Sequence, residues 1–586
     1  MTSPFDRYRS PDAPTPKETW AWNMYGAGVE SIGRDGRPEL FPVPDPGDDQ
    51  LLVRVDAVSL CFSDVKLIQQ GSKHPKLYNR DLAKEPTRLG HETTLTVVKV
   101  GKNLRDQYEP GQRLAVQPDI YQHGKSTAYG YTIPGGMTQY HLIGPEVLNA
   151  DDGSYVLPIE EQFGYAEAAL TEPWACVEGA YRQRRRLMPK AGGTMWIVGR
   201  PGDTTEYQFS QGLDAPATIV LTDVPDSLRA LIEREANAQT MVRRDGLTPA
   251  DYPALKDELT AGQGFDDIVI LDPREAHAVS EAAKLIARRG TFNLVGRTPL
   301  DGTPAIDMGR LHYDYTAYLG NPGPDIAASY GEARNRCELR AGGVTLFVGS
   351  GGPMGQMHIQ RAIELPGGPQ TLIATDVNDE RLAVLQQLFQ GLAEEQGKRL
   401  ITFNPQQASE SLRDLVQRET SGAGADDVIV CAPSAALMAD AATMMAPDGM
   451  LVLFAGVPNG TLGPLNLSDV YLHNAQLTGT SGSTLADQEA VIHKTIDHEL
   501  SPNRSVAAIG GIEAAQDGLR AMMEGRYPGK IVLFPQLSGL PLTGIAELKE
   551  KYPDVAAKLG PGDVWTREAE ETLIKEFWRL ESAVSR

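Results

Sequence analysis

Apolar and polar residues alternate in short runs along the first 190 residues. The runs are LLVRVDAVSL (51–60), TLTVVKVG (94–101) and RLAVQPDI (113–120), with Gly, Pro and Asp between them. Successive side chains of a strand point to opposite faces, so this period predicts half-buried strands. Together they predict a compact, β-rich, barrel-like domain ending near Pro189. Beyond that point the pattern changes. WIVG (196–199), TIVLTD (218–223), DIVILD (267–272) and FNLVG (292–296) are short β-branched runs, each closed by Gly or Asp, with helical patterns between them. That alternation predicts an α/β domain with a doubly wound parallel sheet.

The second pattern then occurs again. AGGTMWIVG at Ala191 is echoed by AGGVTLFVG at Ala341, and LTDVPDSLRAL around Asp223 by ATDVNDERLAVL around Asp376. AGQGFDDIVI around Asp266 is echoed by GAGADDVIV around Asp426, and FNLVGRTP by LVLFAGVP. LHYDYTAYLGNPG near His312 has a fainter echo in YLHNAQLTGTSG near His473. Five matches in one order, offset by 150 to about 161 residues, read as a whole-domain duplication with copies at 191–330 and 331–480. GRYPGKIVLFP (525–535) reads as a turn and a strand that returns to the first domain, completing it over about 500–536. Residues 537–586 carry helix signals in LTGIAELKEKYPDVAAKL and DVWTREAEETLIKEFWRLE, the latter with Thr566 as N-cap and Glu568 to Glu571 in its first turn. This helical extension is expected to pack and to carry no chemistry.

Composition narrows the function classes. Lys and Arg number 55 against 77 Asp and Glu, a formal charge of −22, which argues against a general nucleic-acid binder. No apolar run is long enough to predict a membrane span, and the N-terminal stretch lacks the apolar core of a signal peptide, so a cytoplasmic protein with no membrane partner is expected. The four cysteines, Cys61, Cys176, Cys337 and Cys431, are widely spaced, and no disulfide framework is expected. Arg182, Arg184, Arg185 and Arg186 form the one basic cluster, read as a solvated helix end or as a local anion site.

VTLFVGSGGPMGQMHIQRAIE runs a strand into a helix through Gly349, Ser350, Gly351, Gly352, Pro353, Met354 and Gly355. Glycines there let a pyrophosphate approach the backbone, and the helix N-terminus offers free N–H groups with partial positive charge. The next strand ends at Asp376, 27 residues after Gly349, where a carboxylate can accept hydrogen bonds from the adenosine ribose and repel a 2′-phosphate. NAD is therefore expected over NADP. The first copy, VGRPGDTTEYQFSQGLD, keeps Gly199 and Gly202 but puts Asp203 and Glu206 near the pyrophosphate position. Repulsion there costs on the order of several kcal/mol, so this degenerate copy is not expected to bind a dinucleotide in the usual way.

Three segments in the first domain carry candidate chemistry: SLCFSDVKL with Cys61, Ser63 and Asp64; LGHETTL with His91 and Glu92; and TEPWACVEGAY with Glu172. Thiolate, imidazole and carboxylate together are good zinc ligands, and a catalytic zinc has three protein ligands and an open position. With LCFSDV, LGHE, EPWACVEGAY, GSGGPMG, ATDVNDERL and GKIVLFP in this order, the chain resembles the medium-chain dehydrogenase/reductase superfamily near its sorbitol and polyol dehydrogenase branch. The resemblance runs from about residue 35 to 536 apart from the extra domain copy.

The resemblance implies an α/β architecture: a GroES-like β-rich catalytic domain (1–190) and two tandem doubly wound Rossmann domains, the first degenerate. It implies Cys61 and His91 as zinc ligands, with Glu92 or Glu172 completing the shell or holding the metal-bound water. Ser63 would contact the substrate alcohol and begin proton removal, and Asp64 would orient the histidine. Lys66 stands where relatives often carry an outer relay histidine, so the relay is altered or shorter. The stretch VQPDIYQHGKSTAYGYTIPGGMTQYHLI has no cysteine, so one catalytic zinc and no structural zinc are expected. The expected function is NAD(H)-linked hydride transfer at the hydroxyl or carbonyl carbon of a polyol, sugar or sugar phosphate, in a homo-oligomer, dimer or tetramer. Two rivals are an epimerase-like enzyme using tightly held NAD transiently, and a non-catalytic NAD-sensing or scaffold protein derived from a dehydrogenase.

Overall fold

The computed structural model describes residues 3–480 and 482–579. They divide into two compact units, residues 3–179 with 482–579, and residues 180–480. Among the described residues, no helix is long and apolar enough to cross a membrane.

The first unit is built on an eight-stranded sheet. Its strands run in the order Val156–Pro158, Arg113–Val116, Glu92–Val100, Leu51–Ser59, Lys530–Phe534, Val506–Gly511 and Thr543–Gly544, with Tyr140–Ile143 also pairing with Leu51–Ser59. The return strand predicted within 525–535 is Lys530–Phe534, which pairs with the end of Leu51–Ser59. One expectation needs correction. Leu51–Ser59 is buried along its whole length, not on one face. Its polar positions survive burial because they satisfy one another: Arg54 Nε donates to Asp56 Oδ1 at 2.7 Å, Tyr8 OH donates to the same carboxylate at 2.6 Å, and Arg54 Nη1 donates to the Tyr8 carbonyl at 2.6 Å.

The C-terminal segment also departs from the pattern. LTGIAELKEKYPDVAAKL carries helix signals, but only part of it is helical. It begins as the strand Thr543–Gly544, makes a 3-10 turn, and then forms two single-turn helices, Leu548–Lys551 and Pro553–Ala556. Pro553 has no N–H and disfavours helical backbone at the residue before it, which separates them. The final helix, Arg567–Phe577, starts where expected, with Thr566 Oγ1 accepting from the Ala569 N–H at 3.0 Å. Leu580 and Glu581, at the end of that predicted helix, lie outside the described residues. Glu570 of Arg567–Phe577 accepts from the N–H groups of Tyr165 and Ala166 at 2.5 and 2.9 Å, satisfying the buried start of the helix Tyr165–Ala169.

The second unit holds two six-stranded, all-parallel sheets with one strand order. The first runs Thr240–Arg243, Thr218–Thr222, Thr194–Val198, Phe265–Leu271, Ile286–Val295, Ala317–Asn321. The second runs Arg399–Phe403, Thr371–Thr375, Val344–Val348, Ala425–Val430, Met445–Leu453, Gln476–Gly479. Each is the doubly wound arrangement in which a nucleotide binds where the strand order reverses. The paired sequence echoes occupy equivalent places in the two sheets; in the last echo, Ser481 lies outside the described residues.

The basic cluster belongs to this frame. Arg186 donates to both carboxylate oxygens of Asp267 at 3.1 Å, and Lys190 pairs with Asp266. Arg336 and Arg340 pair with Asp427 and Asp426 in the second sheet. Arg185 is spent on the carbonyls of Tyr330 and Arg334, at 2.9 and 3.0 Å.

The two sheets meet reciprocally. Residues 305–307 pair antiparallel with 462–464. The helix Met308–Tyr313 lies against the last strand of the second sheet, and the helix Ser468–His473 against the last strand of the first. Glycine permits both approaches: a Cβ on Gly479 would stand 2.8 Å from the Leu311 carbonyl oxygen, and one on Gly320 would stand 2.5 Å from Tyr471 Cβ. Tyr471 OH donates to the Thr298 carbonyl at 2.5 Å, and His312 Nδ1 lies 3.0 Å from the Leu453 carbonyl oxygen. One continuous hydrophobic core, from Trp196 through Phe292 to Leu451 and Tyr471, spans both sheets.

Gly320→Val should therefore overpack the seam at a cost of about 1–3 kcal/mol. Thermal denaturation is expected to show a lower Tm than wild type, whereas an unchanged melting curve would contradict the tight helix-on-strand contact.

Candidate active site

Leu51–Ser59 ends beside Lys530–Phe534, and the chain turns at Leu60 and Cys61 into the helix Phe62–Gln70. Cys61 is the residue before that helix, and its N–H donates to Asp64 Oδ2 at 2.9 Å. The other oxygen of Asp64 lies 3.3 Å from His91 Nδ1. Asp64 is completely buried, so one carboxylate fixes the thiol-bearing turn and the imidazole together. His91 follows Gly90, whose φ of 93° suits glycine and whose Cβ would collide with Val58 and Met137. Glu92 then opens the strand Glu92–Val100, opposite Ser59.

Cys61, His91 and Glu92 offer ligand atoms that all lie within 4.8 Å of one another. Glu92 Oε1 accepts from Lys530 Nζ at 2.5 Å, while Glu92 Oε2 is buried without a hydrogen-bond partner. Burial disfavours charge on His91, but the Asp64 carboxylate more than reverses this and lifts the imidazole above its ordinary value. The donor set suits a cation: thiol, imidazole and an unsatisfied buried carboxylate oxygen. Zinc and the GroES-like fold both fit this corner.

Glu172 lies in the first turn of the helix Thr171–Gly179 and is not part of that three-residue group. Its carboxyl is pushed up to about 7, by burial first and by the negative charges of Glu92 and Asp119, against the opposing pull of His91 and Lys530. Ser63 is half-buried in the first turn of Phe62–Gln70, and Lys66 is exposed on the same helix.

Several residues around this corner were not singled out from the sequence. Lys530, read only as part of a closing strand, also donates to the Leu60 carbonyl at 3.2 Å and so braces both sides of the cluster. The Tyr131 ring lies 5.8 Å from the His91 ring, and Lys76 pairs with Asp119 at 2.7 Å. Cys176 Sγ lies 3.8 Å from Glu172 Oε1, one helical turn along. A buried lysine near the end of a β-rich domain is the one signal that pattern reading had available.

In the second parallel sheet, Val344–Val348 passes through Gly349–Gly352 into the helix Pro353–Glu364. Gly349 has φ 70°. A Cβ on Gly355 would stand 2.4 Å from Ser350 Cα, so glycine is what lets the helix pack onto the loop. A Cβ on Gly352 would meet nothing within 4 Å, leaving open space over the helix start. Ser350 is buried, with its hydroxyl directed at the Thr375 carbonyl at 3.2 Å, while Pro353 and Met354 are half-buried. Asp376 accepts from the N–H of Gly351 at 2.9 Å and of Asn378 at 3.0 Å, which ties the end of its strand to the glycine loop.

The first sheet lacks this apparatus. No helix lies between Val198 and Thr218. Arg200 pairs with Asp272, Asp203 accepts from Tyr207 OH at 2.8 Å, and the Asp223 carboxylate accepts from the Gly246 N–H at 3.0 Å. The groups equivalent to a nucleotide cradle are thus paired internally, and the helix start that would face a pyrophosphate is missing.

Comparison with known proteins bears on the same two regions. Residues 47–150 match the alcohol dehydrogenase GroES-like domain family, and residues 353–497 match the zinc-binding dehydrogenase family. The first parallel sheet lies in neither range. The L-sorbose 1-phosphate reductase of Klebsiella pneumoniae is 30% identical over 326 residues, covering 52% of this chain and 75% of that protein. The chain belongs to the zinc-dependent medium-chain dehydrogenase/reductase superfamily. It is a polyol-dehydrogenase-like member, and the GroES-like and Rossmann-like architecture expected from its motifs is the architecture observed. An uncharacterized protein of Escherichia coli, YggP, is 24% identical over 554 residues, 93% of this chain and 95% of that one. The mannitol-1-phosphate 5-dehydrogenase of Aliivibrio fischeri is 27% identical over 366 residues, covering 58% and 84% respectively. Among solved structures, 2R,3R-butanediol dehydrogenase from Bacillus subtilis shares the fold with TM-score 0.50 at 14% identity, over 88% of this chain and 99% of that one.

Lys530→Met would leave the Glu92 carboxylate buried and unpaired. Breaking a buried pair in this way costs about 3–5 kcal/mol. Urea denaturation of the metal-free protein should show that loss, with Lys530→Arg retaining most of the stability. Equal stability of Lys530→Met and wild type would remove Lys530 from its bracing role.

Proposed function

We propose that this member is an NAD(H)-linked, zinc-dependent dehydrogenase. It interconverts a hydroxyl and a carbonyl group on a polyol, sugar or sugar phosphate. The observation that carries the reading is the convergence of Cys61, His91 and Glu92, with a buried Glu92 oxygen left unsatisfied, in the fold of the zinc-binding dehydrogenases. Its relatives include an L-sorbose 1-phosphate reductase, a mannitol-1-phosphate 5-dehydrogenase and a D-arabitol-phosphate dehydrogenase, which supports the substrate class.

Cys61, His91 and Glu92 hold the ion, and Asp64 and Lys530 hold the ligands. Zinc bound there supplies Lewis acidity, which lowers the pKa of a hydroxyl beside it. Ser63 contacts the substrate hydroxyl and takes its proton, and Lys66 stands at the outer end of that path. Glu172, buried and with its carboxyl raised, holds water or a proton at the edge of the ion site. The Gly349–Gly355 loop receives the NAD pyrophosphate at the start of Pro353–Glu364, and Asp376 receives the ribose hydroxyls. One zinc suffices, because the Cys-free stretch 116–143 has no set of thiolates for a second. A cytoplasmic homo-oligomer remains the expected setting.

Metal analysis of the purified protein should find about one zinc per chain, the ligand number being that of a catalytic site. Cys61→Ala should lose the ion and the reduction of NAD with a panel of polyols and polyol phosphates. A metal-free wild type that still reduces NAD would end the zinc reading. Separately, Asp376→Ala should raise KM for NAD and lower the preference for NAD over NADP by about ten-fold or more, the effect of removing one charged hydrogen-bond acceptor. An unchanged preference in initial-rate measurements would detach Asp376 from cofactor choice.

A further inference from the structure

The helix Phe62–Gln70 and the turn after it carry an excess of positive charge, of which the proposed chemistry uses only Lys66. Residues 62–77, FSDVKLIQQGSKHPKL, contain Lys66, Lys73, Lys76 and His74 against the single acid Asp64, in a chain of formal charge −22. Asp64 is already committed to Cys61 and His91. Lys76 and His74 gather on one aromatic ring. The Lys76 ammonium lies 5.0 Å from the Tyr131 ring centroid, and the His74 ring lies 5.4 Å from it. The Tyr131 ring in turn lies 5.8 Å from that of His91. One tyrosine thus separates the ion-binding imidazole from a lysine and a histidine, a span that an extended chain of a few carbons can bridge.

Lys76 is held in place: its Nζ pairs with Asp119 Oδ1 at 2.7 Å, and its carbonyl accepts from Thr132 Oγ1 at 2.7 Å. His74 accepts from the Lys76 N–H at 3.2 Å. Burial, and then the charges of Lys76 and Lys66, depress the His74 imidazole to about 4, as a cationic surrounding would. Asp119 offsets one positive charge and supplies an acceptor, the group a substrate hydroxyl needs. An ammonium beside a carboxylate, a short carbon chain away from the imidazole that would bind zinc, is matched to a molecule with hydroxyls in its middle and an anion at its end.

We propose that Lys76, assisted by Lys66 and with Asp119 as hydroxyl acceptor, forms a subsite for a terminal phosphate ester, so that the substrate is a phosphorylated polyol and not the free polyol. This rests on the dehydrogenase reading above and narrows it.

Calorimetric titration of the zinc-loaded protein with sorbitol and with sorbitol 6-phosphate tests the subsite without turnover. Wild type is expected to bind the ester at least about ten-fold more tightly than the free polyol, the scale of one well-placed charge contact. Lys76→Met should bring that ratio close to one, Lys76→Arg should keep most of it, and added salt should shrink it in wild type and Lys76→Arg but not in Lys76→Met. A wild-type ratio near one, failure to bind either compound, or a Lys76→Met ratio equal to that of wild type overturns the subsite. Circular dichroism melts confirm that the variants are folded. NAD reduction separates the two levels: oxidation of sorbitol with a binding ratio near one defeats the subsite alone, whereas tight binding of the ester with no oxidation of either compound defeats the dehydrogenase reading and leaves an anion site.

Discussion

The arrangement depends on a group of charges kept away from water. Asp64, His91, Glu92 and Lys530 are all buried, and they come from a helix start, a loop, a strand start and a strand some 440 residues further along the chain. An isolated buried charge is expensive, and here each is tolerated because its partner is within hydrogen-bonding reach. The two pairs are not independent. Asp64 pins Cys61 to His91, while Lys530 pins Glu92 to the Leu60 carbonyl, so both close on the same turn. The chain can therefore present a thiol, an imidazole and a free carboxylate oxygen at one point only if the C-terminal return strand is in register. The first unit is discontinuous in sequence, and strand 530–534 from its C-terminal part brings the Lys530 ammonium to Glu92.

Much of this was legible in the chain. Glycine loop, strand and Asp376 follow from local spacing, because a phosphate cradle is built from contiguous residues. The three grouped residues were visible in two of the three motifs, Cys61 in SLCFSDVKL and His91 with Glu92 in LGHETTL, while Glu172 of the third lies outside the group. What was hidden shares one property: its partner is distant in sequence. Lys530 reads as one polar residue in an apolar strand until Glu92 is placed beside it. Leu51–Ser59 reads as half-buried because its alternation is genuine; its polar face is covered by Tyr8, 48 residues earlier in the chain, whose hydroxyl donates to Asp56. The choice between Glu92 and Glu172 was also beyond spacing. Both lie near the imidazole, and only geometry separates the carboxylate grouped with Cys61 and His91 from the one beyond it.

The two parallel sheets show how similar sequence patterns reach different ends. Both have the same strand order, and both are anchored by a basic residue on an aspartate at the equivalent place, Arg186 on Asp267 and Arg336 on Asp427. The divergence lies in one connection. Where the second sheet has a twelve-residue helix after its first strand, the first has a loop from 199 to 217 whose charged groups pair among themselves. The sequence argument for a degenerate site rested on repulsion from Asp203 and Glu206. In the structure the connection after the first strand holds no helix, so it has no helix start with free N–H groups like that of Pro353–Glu364.

The first sheet also builds the seam with the second. The last strand of an open sheet presents unpaired backbone groups and one apolar face, a liability that proteins cover or block. Here each sheet covers the other: Tyr471 and Ser468 reach the first sheet through the Thr298 carbonyl and the Leu300 N–H, while His312 reaches the second at the Leu453 carbonyl. Gly320 and Gly479 hold equivalent places in the two last strands, and each lacks a side chain where the other sheet's helix descends on it. The first sheet's part in the seam is carried by its last strand, by Gly320 and by its short pairing segment 305–307. The seam depends on edge strands and glycines and not on the glycine loop, so the first sheet keeps its fold with no helix after its first strand.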